Sequence, residues 1–103
     1  MSSVSSIRAY ERPDLPLAKR LPSLARRFPC LADAEGVAPW DPERLYAWIR
    51  TAGVGGAAWH AGLLLLNLWG EGDWERFDAL EAARVWEDGD KQMFINWMRT
   101  WRF

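Results

Sequence analysis

Apolar residues recur along the chain at intervals of three and four, the period of a helix with one face turned inward. Leu17, Leu21, Leu24 and Phe28 make the first such run, with Lys19, Arg20, Arg26 and Arg27 around it. Pro22 interrupts the run, so the pattern predicts a helix that kinks or starts there, and Pro29 ends it. Residues 30–40, which include Gly36 and Pro39, read as a loop. Asp41-Pro42-Glu43 is a helix start: Asp41 accepts N–H bonds as the cap, and Pro42 at the first helical position loses none. Leu45, Trp48, Ile49 and Ala52 supply its apolar face, and Gly53, Gly55 and Gly56 end it in a turn.

Residues 57–69 are apolar almost all round, the mark of a buried helix. The four leucines 63–66 would also suit a buried strand, since periodicity does not separate the two. Leu and Ala favour the helix. Gly70 and Gly72 close it. Asp73 then reads as the cap of a further helix, with Trp74, Phe77, Leu80 (or Glu81) and Val85 on its inner face. Asp88-Gly89-Asp90 reads as a turn and a new cap. The last helix carries Phe94, Trp97, Met98 and Trp101 on one face, with Met93 and Ile95 alongside. The pattern predicts an all-α, small single-domain bundle of four or five short helices over 15–103, built around 57–69. Residues 1–14 are expected to be an extended N-terminal arm, flexible or ordered by a partner.

Composition adds one anomaly. The chain of 103 residues has eight tryptophans, and a core of this size would struggle to hide them all. Some are expected at the surface or at an interface. The formal net charge is -1, which gives no general attraction to nucleic acid. The charge is uneven, however. Residues 1–30 carry six basic against two acidic side chains, and the rest carry seven against twelve. The densest acidic stretch is 71–90. Either the basic segment folds back on the acidic body, or each meets a partner of opposite charge.

Candidate chemistry is sparse. Cys30 and His60 are single, which excludes an internal disulfide and is too few for a zinc site. Nothing in their spacing brings them together as a nucleophile and base, and a core histidine held by one hydrogen bond is the simpler reading of His60. Gly53-Val54-Gly55-Gly56 lacks the Lys-Ser/Thr step and the preceding strand of a phosphate loop. The acids at 73–78 and 87–90 do not follow calcium-loop spacing. No cofactor is expected. The apolar stretch 57–69 is too short to span a bilayer, the N-terminus lacks a signal-peptide core, and a cytoplasmic protein is expected.

Residues 39–103 resemble a group of short bacterial proteins to which no activity is assigned. The resemblance rests on Pro39-Trp40-Asp41-Pro42-Glu43, Leu68-Trp69, Phe77-Asp78, Trp86, and Phe94 and Trp97 following it. The chain departs from that pattern at Gly70 (Asn in the group), at Glu87 (Asp), at Asp90-Lys91 (His-Arg) and at Trp101-Arg102-Phe103 (Trp-Trp-Pro). The spaced aromatics Trp69, Phe77, Trp86, Phe94 and Trp97 are expected to meet as one aromatic core.

The functional expectation is a small non-enzymatic protein-interaction protein. Its expected contacts are Trp101, Arg102 and Phe103 at one end, Glu75 and Asp78 on the acidic stretch, and Arg20, Arg26 and Arg27 on the basic segment. The partner is another protein or a second copy, with no membrane and no nucleic acid. A phage or mobile-element-encoded inhibitor that presents an acidic face to a basic partner, and a structural subunit of a homo- or hetero-assembly, are the alternatives. A small enzyme built around Trp59, His60 and Cys30 is the remaining one.

Overall fold

The computed structural model describes residues 8–51 and 53–102. Helix α3 (Gly56–Trp69) is the hub of the fold. Its whole leucine run is buried, with Leu65 and Leu66 at 0% exposure, so the run is helix and not strand. Each such leucine contributes about 2 kcal/mol by leaving water. Gly55 and Gly70, at φ 97° and 86°, mark its two ends. Around α3 pack α1 (Leu17–Ala25), α2 (Pro42–Ile49), α4 (Ala79–Val85) and the short 3-10 turn Pro29–Leu31. A last helix, α5 (Asp88–Thr100), leans on that turn. The architecture is an all-α bundle of five helices, with no strand among the described residues.

The starts of the helices separate what local pattern fixes from what it does not. α2 begins as expected, with the Asp41 carboxylate accepting the Arg44 N–H at 3.2 Å. α1 begins at Leu17, runs through Pro22 and stops at Ala25, short of Phe28. Pro22 is therefore inside the helix, buried, and not its start. α4 begins at Ala79, not at 73: the Asp78 Oδ1 accepts the N–H groups of Leu80 at 2.9 Å and Glu81 at 3.1 Å. Asp88, Gly89 and Asp90 are not a turn but the first turn of α5, whose cap is Glu87.

Asn67 explains the late start of α4. It sits on α3, and its Nδ2 donates to the Leu63 carbonyl at 2.8 Å and the Glu75 carbonyl at 2.9 Å. Its Oδ1 accepts the Phe77 N–H at 3.2 Å. This clamp holds both the Glu75 carbonyl and the Phe77 N–H, so they do not enter helical bonds. Trp74 adds a second tie, its indole N–H reaching the Glu71 carbonyl at 2.6 Å.

Of the expected arm, residues 1–7 lie outside the described residues. Residues 8–14 lie against α1 through the 3-10 turn Ala9–Glu11. Tyr10 is 4% exposed, and its N–H donates to Ser23 Oγ at 3.2 Å.

Candidate interaction surfaces

The ring contacts fall into three groups, not one core. Phe28, Phe77, Trp86, Phe94, Trp97 and Trp101 run as a continuous relay with neighbouring ring centroids 5.4–6.3 Å apart. Spacing in this range adds edge and offset attraction to plain burial. Trp69 is not part of it. It pairs with Trp40 at 5.7 Å, and Tyr46 separately meets Trp59 and Trp74 at 6.2 and 5.2 Å. Of the eight tryptophans only Trp86 and Trp101 are buried, and the other six are half-buried.

The expected contact residues divide along similar lines. Trp101 is 6% exposed and Arg20 4% exposed, so neither presents a free surface. The Arg20 guanidinium lies 3.8 Å from the Trp101 ring centroid, and its Nε and Nη2 donate to the Tyr10 carbonyl at 3.2 and 3.0 Å. Periodicity placed Trp101 on a helical face but gave no sign of a cation from α1 covering it. Phe103 lies outside the described residues. Arg26, Arg27 and Arg102 are exposed. Glu75 and Asp78 are exposed, but Asp78 also has the capping role in α4. The basic segment does not pair with the acidic stretch: Arg12 meets Asp14 at 2.7 Å, and among the described residues no ion pair joins 8–30 to 71–90. Glu71, Asp73, Glu75, Asp78, Glu81, Glu87 and Asp88 all stand in solvent.

Sequence patterning missed the apolar surface. The large apolar side chains that are exposed among the described residues are Leu80, Val85, Ile95 and Met98, all on α4 and α5. Leu80, expected on an inner face, is 77% exposed. The shift of the α4 start from 73 to 79 changes which side of the helix faces the core, and Ala82 is the residue buried there. Between the two helices is a notch of about 210 Å³. Ala79 and Ala83 form one wall and Ile95 the other, Trp86 and Phe94 also line it, and Lys91 is its single charged group. Two alanines one turn apart leave the space that larger side chains would fill.

Cys30 is engaged by its neighbours, whereas His60 is not. The Cys30 thiol donates to the Ala57 carbonyl at 3.5 Å, and the same carbonyl accepts the Trp86 indole N–H at 3.0 Å. The Cys30 N–H donates to Asp90 Oδ1 at 3.1 Å, and Asp90 is 3% exposed. Burial, with the Asp90 carboxylate beside it, pushes the thiol far above its ordinary pKa. A thiol in that setting is a poor nucleophile. His60 is half-buried, and its Nδ1 has no hydrogen-bond partner among the described residues, contrary to the expected satisfied core histidine. No group of three or more metal-ligating side chains occurs among the described residues, and none of their helices is long and apolar enough to cross a membrane.

The chain matches no family model, no curated protein and no solved structure.

Proposed function

We propose that the protein is a non-enzymatic interaction module that docks a basic amphipathic helix of another protein on the α4–α5 face. The observation that carries this reading is the apolar notch between α4 and α5, walled by Ala79, Ala83 and Ile95, with the exposed Leu80 and Met98 on the same two helices. Scattered single apolar residues on a surface need no explanation, whereas a clustered set does. The notch is the size of one large side chain, and Ile95 and Met98 continue it along α5 at helical spacing. An amphipathic helix supplies anchors at that period. The seven exposed acids of 71–88 set the partner's charge: basic residues flanking its apolar anchors would meet them. This replaces the expected contact through Trp101 and Arg20, which are buried.

The test is affinity capture from host lysate with the tagged protein and its Leu80→Asp and Met98→Asp variants, each checked by circular dichroism for an unchanged fold. A stoichiometric partner that both variants lose, and that weakens as salt rises, is the expected result. Retention of the partner by both variants would overturn the docking face. A discrete oligomer of the purified protein that both variants dissolve would replace this reading with self-assembly.

A further inference from the structure

A second surface lies on another flank of α5. Gly89, Gln92, Met93, Asn96 and Thr100 share that flank at helical spacing. With Arg8, Tyr10 and Glu11 from the N-terminal turn and Arg27 beyond the end of α1, they line a groove of about 420 Å³. That volume falls in the range of small-molecule sites.

We propose that this groove binds a phosphorylated, hydroxyl-rich small molecule of the sugar-phosphate class. Arg8 and Arg27 both line the groove, both are exposed, and neither has a carboxylate partner among the described residues. A guanidinium offers paired N–H donors that match the oxygens of a phosphate. Two of them suit a doubly charged group with several oxygens better than a single carboxylate. Glu11 is the one acid in the lining, and its Oε1 accepts the Arg8 N–H at 3.0 Å, which turns part of its charge to the backbone.

The remainder of the lining selects the rest of the ligand. Gln92 Nε2 donates to Asn96 Oδ1 at 3.2 Å, which fixes both amides in one orientation. That leaves the Gln92 carbonyl and the Asn96 amino group for a ligand. Thr100 Oγ1 donates to the Asn96 carbonyl at 2.7 Å. Amides and hydroxyls in a row pair with sugar hydroxyls. Tyr10 and Met93 are buried, so no aromatic face is open here to stack a nucleobase, which argues against a nucleotide.

The experiment is a titration of the isotope-labelled chain, followed by NMR, with glucose 6-phosphate, inorganic phosphate and glucose as separate probes. Saturable shifts of the Gln92 and Asn96 side-chain amides with glucose 6-phosphate are expected, with weaker binding of phosphate alone. Arg8→Gln and Arg27→Gln should each weaken binding roughly tenfold, the worth of one charge-assisted contact. Arg84→Gln, the same charge change elsewhere, should leave it unaltered. Asn96→Ala should bring glucose 6-phosphate down to the level of phosphate. All four side chains are exposed or half-buried, and thermal melts verify the fold of each variant. No saturation in the millimolar range, or equal binding by Arg27→Gln and the parent, would overturn the site. Phosphate binding as tight as glucose 6-phosphate would reduce it to an ion site and overturn the sugar-phosphate assignment.

Discussion

The Arg20 guanidinium covers the Trp101 ring at 3.8 Å and joins the first helix of the bundle to the end of its last. Burial lowers the Arg20 pKa, yet an arginine starts so high that it stays charged at neutral pH. A buried cation is costly unless something answers it. Here the ring face and the Tyr10 carbonyl do so.

Trp101→Ala should therefore cost about 3–5 kcal/mol, as for a tryptophan of the core. A double-mutant cycle of Arg20→Met and Trp101→Leu, read by urea unfolding, should give a coupling of about 1–2 kcal/mol. Strictly additive effects would show that the two side chains are neighbours without a shared interaction.

Gly62 on α3 faces Ile49 of α2. A Cβ at Gly62 would lie 2.6 Å from Ile49 Cγ2 and 2.9 Å from Cδ1. Replacing a helical glycine by alanine normally stabilises by about 1 kcal/mol. Gly62→Ala should instead destabilise by about 1–2 kcal/mol through overpacking. In an Ile49→Ala background the same change should become neutral or stabilising. Thermal melts of the four proteins decide it.

Asp78 and Asp73 offer a direct contrast. Asp78→Ala removes the two bonds that start α4 and should cost about 1 kcal/mol. Asp73→Ala, outside any helix, should fall within about 0.5 kcal/mol of the parent. The reverse order in urea midpoints would mean that α4 begins where local pattern first suggested.

That contrast also shows how far the sequence was readable. Asp41-Pro42 named the start of α2 because a cap acts on its own next turn. The leucine run named the hub because α3 is buried on nearly every side. The start of α4 was not legible, since Asp73 has the chemistry of a cap and only Asn67, from a neighbouring helix, withdraws the Glu75 and Phe77 backbone groups from helix formation. The Leu80 surface was lost for the same reason, because an error in start position rotates every inner face. The Trp101 surface failed differently: periodicity reports a face, and burial of that face depended on a cation from the far end of the chain.

Cys30 should make stability pH-dependent above neutrality. Its thiol has a raised pKa in the folded state, so the protonated form is favoured there. The associated stability is present below the ordinary thiol pKa of about 8.5 and is lost as pH rises above it, where the unfolded chain ionises first. Relative to Cys30→Ala, the parent should lose up to about 1.4 kcal/mol per pH unit through that range. Denaturant titrations of both proteins at pH 7 and pH 9.5 measure the difference. A constant gap would show that the thiol is as free to ionise folded as unfolded.

The Asn67 clamp has a consequence for recognition. Glu71, Asp73 and Glu75 lie on a segment without helix or strand, where charges would ordinarily move independently. Tied at the Glu75 carbonyl, the Phe77 N–H and the Trp74 ring, their backbone is a pre-set array. A partner that meets those carboxylates need not order the loop that carries them, and the entropy of doing so is absent from the cost of association.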